Sequence, residues 1–208
     1  MDLQLTLSFI GTSVLLALLP GPDNILVLTE SITKGKKSGI VLAAGFNSGI
    51  LIHTIIAATG LSLILQTSEY AFLIIKYLGA LYMFYIAFLT LREKHQEPGL
   101  QNRKPDKSNS WKLFRKGFIM NVLNPKVSLF FIAFLPQFTS KTGFSITLQM
   151  LVLGFIFMVI GFIVFSLIAL LSGNLNKYLD NPKFWAITKW GKAAVLGLLG
   201  ILLILSEI

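Results

Sequence analysis

The 208-residue chain contains no cysteine, which excludes disulfides, thiolate metal sites and a cysteine nucleophile. Charge is almost as scarce: 13% of residues are Asp, Glu, Lys or Arg, against 54% hydrophobic, and mean hydropathy is +0.75. Soluble domains carry about a quarter charged residues because a water-facing surface must be solvated. Too little polar surface remains here to cover a globule of this size, so lipid rather than water is the expected solvent and the bilayer the first partner. Acids are the rarest charge, nine against eighteen basic residues, giving a net charge of +9. The basic residues form short blocks between apolar runs instead of a stripe interleaved with aromatics, which argues against nucleic acid as a partner. There are two histidines, and no second histidine or cysteine lies at ligand spacing, so no metal site is expected. No nucleophile elbow or cofactor fingerprint is present either; an enzyme and a bound cofactor are not expected. The start, Met1-Asp2-Leu3-Gln4, lacks a basic n-region, and the apolar stretch behind it ends in Leu18-Leu19-Pro20 without a small-x-small site. The first segment is therefore expected to remain in the protein rather than be cleaved.

What the chain has is long apolar runs. About 20 such residues cross a bilayer core as a helix. Six spans are predicted, at 5–33, 39–66, 70–91, 113–135, 145–172 and 186–206, giving an all-α integral membrane protein with a single transmembrane domain. The first span is too long for one straight helix, and Pro20-Gly21-Pro22 interrupts it. Connections between spans one and two, three and four, and five and six hold fifteen of the eighteen basic residues. By the positive-inside rule these connections face the cytoplasm, and both termini face away from it. The polar stretch 92–110, with Pro98, Gly99 and Pro105, reads as a cytoplasmic linker.

The halves on either side of that linker, 1–91 and 111–208, each hold three spans and each open on a proline-broken helix: LLPGPDN at 18–24 and VLNPKVS at 122–128. Aligning Pro22 with Pro125 sets Asp23 opposite Lys126 and brings Gly39 within one residue of Gly143. Three spans is an odd number, so the second half enters the membrane inverted. Inverted repeats with broken helices point to a transporter whose site lies at mid-depth.

Asp23 is the leading site candidate. It precedes the basic block at Lys34 by about half the bilayer thickness at 1.5 Å per residue. A carboxylate at that depth is costly and faces either a partner or a water-filled cavity. The half-helix starting at Pro22 and Asp23 would present free N–H groups to a substrate carboxylate, while Asp23 answers an ammonium group or a proton; the plainer reading is a helix cap. The same arithmetic sets Lys126 at mid-depth, where it either pairs with Asp23, holds a carboxylate, or snorkels outward. Asn124-Pro125 has the form of an N-cap followed by proline at the first helical position. His53 shares a helix face with Gly45, Gly49, Ala57 and Gly60 and is either a proton relay or a satisfied hydrogen-bonding partner. Asn47 shares a side of span two with Thr54; Asn121, Asn124 and Ser128 share one of span four, where they line a polar path or bond between helices. Glu30 should pair with nearby lysines. Gly154 and Gly161 read as packing positions.

The runs LLALLPGPDNILVLTESITKGKKSGIVLAAGFNSGILIH and FRKGFIMNVLNPKVSLFFIAFLPQF resemble the two hallmark stretches of the LysE/RhtB family of amino-acid exporters. The resemblance implies proton-driven export of an amino acid from the bacterial cytoplasm across the inner membrane. Pro20, Gly21, Pro22 and Asp23 match the first motif; Asn124, Pro125 and Lys126 match the second. Which amino acid is moved, and whether the chain associates with further copies of itself, stays open.

Overall fold

The computed structural model describes residues 1–19, 21–61, 69–92, 109–140, 142–174 and 182–205. Among these residues there are helices, turns and no strands. In a bilayer that is the economical solution, because a helix satisfies its backbone groups internally. Pro20, His95, Lys141, most of the 92–110 linker and the extreme C-terminus lie outside the described residues.

Helix α1 spans Leu3–Leu18 and starts where the Asp2 carboxylate accepts from Leu5 N at 3.0 Å. Helix α2, Pro22–Lys34, begins with proline at its first position, where the missing N–H is no loss. The two helices meet at 58°. Asn24 ties the break together: its Nδ2 donates to the Ala17 carbonyl, one of the groups the end of α1 leaves free, at 2.9 Å. Gly35, at φ +90°, then turns the chain into α3, Lys36–Ile56. α3 widens into a π-helical turn, Ala57–Leu61, so the predicted span 39–66 is α-helical only to Ile56; residues 62–66 lie outside the described set.

Helix α4 is Glu69–Arg92. Helix α5, Ser110–Val122, opens on Asn109, whose side chain accepts from Trp111 N at 2.9 Å. After a break, α6 starts at Pro125 and continues as α-helix to Leu129, as a π turn over Phe130–Phe134 and as a tight 3₁₀ turn to Phe138. It lies at 49° to α5. Helices α7, Ile146–Leu170, and α8, Pro182–Leu205, complete the chain. Among the described residues four helices are each long and apolar enough to cross a membrane, and taking each bent pair as one span makes six.

Helix α3 sits at the centre, packed on α2, α5 and α7, while α4 pairs with α8. Glycine lets α3 and α5 touch backbone to backbone. A Cβ at Gly45 would run into the Phe114 carbonyl, and one at Gly117 into the carbonyl of Leu42. Such close approach drives helix association where lipid removes the hydrophobic incentive. Side chains such as Leu7, Leu81, Phe155 and Leu202 are exposed on the outer faces, where lipid would cover them. Inside are two apolar clusters. The larger centres on Phe9, Phe130, Phe131, Phe134 and Phe157, whose rings pack in stacked and edge-on pairs with centroids as close as 5.1 Å. The smaller, toward the lysine-rich ends of α2 and α3, joins Val27, Leu42, Ala43, Phe46, Phe165 and Ala169.

Candidate functional site

Between the two clusters lies a cavity of about 30 Å³. Its polar lining is Asp23, Asn47, Asn121 and Lys126; Leu16, Ile50, Val127, Phe130, Phe157 and Phe165 supply most of the apolar wall. By volume it admits about two waters.

Each polar residue arrives from a different element. Asp23 sits at the second position of α2, directly after the first break, and is 5% exposed. Lys126 occupies the same position of α6, after the second break, where its backbone N–H donates to the Asn124 side chain at 3.0 Å. Lys126 Nζ and Asp23 Oδ2 are 3.6 Å apart, with side chains 17% and 7% exposed. Burying either charge alone would be costly, and opposition lowers that cost. Gly21 makes the approach sterically open: its backbone is extended, and a Cβ there would meet the Asp23 carboxylate and come within 3.5 Å of Lys126 Nζ.

The sequence candidates divide accordingly. Asp23, Lys126, Asn47 and Asn121 come together at the cavity. Pro22 and Pro125 start the two half-helices, and Asn124 serves as a cap whose carbonyl also accepts from the Ser128 hydroxyl at 3.1 Å. The expected shared face of Asn121, Asn124 and Ser128 does not persist, because Leu123 and Asn124 leave the helix between them. His53 is buried outside the cavity lining. A carbonyl only accepts, so His53 Nε2 carries the proton in its 3.1 Å contact with the Asn121 backbone oxygen. That carbonyl also accepts from Asn124 N at 2.8 Å, so His53 braces the end of α5 at the break. Glu30, two turns below Asp23 and 2% exposed, pairs with Lys34 at 2.7 Å.

Two contributions escaped the reading of residue types. Gly161 does more than pack: a Cβ there would strike the Asn47 side-chain oxygen. The aromatic wall from Phe130, Phe157 and Phe165 looks in sequence like any apolar stretch. Among the described residues no group of three or more His, Cys, Asp or Glu is placed to hold a metal ion.

Residues 14–207 match the LysE type translocators. The chain belongs to that family. Relatives with similar sequences include an uncharacterized membrane protein of Bacillus subtilis, 29% identical over 86% of this chain and 88% of its own length. A homoserine/homoserine lactone efflux protein of Salmonella typhimurium is 29% identical, covering 85% of this chain and 84% of that relative. A leucine efflux protein of Salmonella choleraesuis is 26% identical, with 85% and 82% covered. No solved structure matches the translocator significantly.

Proposed function

We propose that this translocator is a secondary-active exporter of amino acids or close derivatives, working by alternating access across the bacterial inner membrane. One observation carries the reading: the enclosed Asp23–Lys126 pair, set at the breaks of two bent helices. A carboxylate and an ammonium side by side in an apolar enclosure complement a zwitterion, and broken helices at mid-depth are where transporters build sites. The efflux roles named for two relatives point the same way.

In this proposal residues 1–91 and 111–208 are inverted repeats that rock against one another, joined by the linker 92–110. The lysine-rich connections face the cytoplasm and both termini face the periplasm. Ligand pockets run to about 300 Å³ or more, so the cavity of about 30 Å³ belongs to a closed form that must open to load cargo. Protons are the coupling ion, exchanging at Asp23 as Lys126 and cargo alternate as its partner. This part rests on Asp23 being, among the described residues, the single acid at the cavity.

The test is efflux from proteoliposomes loaded with a panel of labelled amino acids under an imposed pH gradient. Gradient-dependent loss of one or a few supports the proposal and names the cargo. Retention of all of them by folded protein refutes it and turns attention to other metabolites or cations. Efflux that ignores the pH gradient refutes proton coupling alone.

A further inference from the structure

Among the described residues, three side-chain oxygens on residues that line the cavity have no hydrogen-bond donor: Asp23 Oδ1, Asn47 Oδ1 and Asn121 Oδ1. Their residues are 5%, 3% and 4% exposed and come from α2, α3 and α5. Buried acceptors are nearly always satisfied, and three orphans lining one enclosure call for an explanation.

Local geometry holds them there. Asn47 Nδ2 donates to the Ala43 carbonyl at 2.7 Å, so turning the amide over would set oxygen against oxygen. The Asn121 backbone is braced by His53. A glycine clears the space beside each oxygen: Gly21 beside Asp23, Gly161 beside Asn47, Gly49 beside Asn121. The three positions are thus shaped by their neighbours as well as by their own side chains.

A ligand matching three acceptors needs three donors and no lone pair. Water brings two donors, whereas a primary ammonium brings three. One of the acceptors is anionic and two are neutral carbonyl oxygens, which suits a single positive charge. Lys126 Nζ faces the other carboxylate oxygen, Oδ2, and leaves Oδ1 unopposed. Beyond these groups the wall is apolar, with Leu16, Ile50, Phe130, Phe157 and Phe165, and among the described residues Asp23 and Lys126 are its only charges. A cargo side chain bearing its own charge would find no partner there.

We infer that Asp23, Asn47 and Asn121 form a cradle for the cargo's α-ammonium group, so that the site takes amino acids with a free primary ammonium and an uncharged side chain. The inference rests on the exporter proposal for the nature of the cargo, and a binding measurement separates the two. Purified full-length protein is heated in detergent with leucine, N-acetyl-leucine, the 2-hydroxy acid of the same skeleton, lysine or glutamate, and with sodium chloride against choline chloride. The same compounds are then followed in proteoliposomes.

Leucine is expected to stabilise the protein, and N-acetylation or replacement of the amino group to weaken binding about ten- to hundredfold, the scale of hydrogen bonds to a charged group. Lysine and glutamate should bind more weakly than leucine. Asn47→Ala and Asn121→Ala should raise KM for leucine with less effect on kcat and erase much of the discrimination against N-acetyl-leucine. Asn47→Asp and Asn121→Asp keep the shape and serve where the alanine variants do not fold; they retain the preference for a free ammonium. Binding of leucine without gradient-driven movement would uphold the cradle and sink the exporter proposal. Movement of leucine and N-acetyl-leucine alike, an unchanged KM in folded variants, or no response to any compound would overturn the cradle. Sodium-specific stabilisation lost in Asn47→Ala would assign the oxygens to an alkali ion instead and overturn it too.

Discussion

Asp23→Asn and Lys126→Met each strand one charge in an enclosure built for two. At 3.6 Å, two unit charges in an effective dielectric near 20 attract by about 5 kcal/mol. Removing one partner of a buried pair typically costs about 3–5 kcal/mol, chiefly because the survivor stays desolvated. Lys126 keeps 17% of its side chain exposed, so water relieves part of this, and each single variant is expected to lose about 2–4 kcal/mol. The double variant leaves no charge to strand and should recover to within about 1 kcal/mol of the parent, a coupling of about 3–7 kcal/mol. The assay is a double-variant cycle on detergent-purified protein, unfolded reversibly and followed by tryptophan fluorescence, with efflux measured in parallel. Transport should fail in all three variants, including the stable double one. Single variants that hold the parent's stability, or a double variant whose loss equals the sum of the singles, would refute the electrostatic reasoning.

Other consequences are as direct. Gly45→Ala drives a Cβ into the Phe114 carbonyl, whereas Gly11→Ala meets nothing within 4 Å. The same substitution should cost about 1–3 kcal/mol at the first position and be neutral or mildly stabilising at the second, as read from thermal unfolding in detergent. His53→Leu removes a side-chain donor to the Asn121 carbonyl and should lower stability by about 1 kcal/mol, with His53→Gln recovering part of it; an efflux pH profile that moves with His53→Gln would mean the ring does more than brace. Because the chain has no cysteine, Lys37→Cys and Thr142→Cys give single labels on exposed sites. An impermeant maleimide added to intact cells should reach Thr142→Cys and leave Lys37→Cys unmodified; the reverse pattern would invert the proposed orientation.

Much of this architecture was legible in the sequence because lipid permits few alternatives. Apolar runs had to be helices, and prolines at 22 and 125 could only begin new ones. The pairing of Asp23 with Lys126 was anticipated by setting the two proline-broken helices against one another. Legibility ended where side chains meet backbone. Asn121 and Asn124 share a residue type and sit three apart, yet one lines the cavity and the other caps a helix, because the chain leaves helical register between them. The partner of His53 is a carbonyl, which leaves no mark on residue identity. Asn24 is the second polar side chain of the run LLPGPDN, but its role depends on where α1 releases the Ala17 carbonyl.

The glycines beside the cavity bear on how such a protein changes its diet. A methyl group at position 49 or 161 would shift an amide oxygen without altering any polar residue around the cargo. Two relatives with the same Asp, Asn and Lys could therefore diverge in preference through positions that carry no polar group. Comparisons restricted to charged and polar positions would class them as identical. The informative letters in this chain would then be the smallest ones.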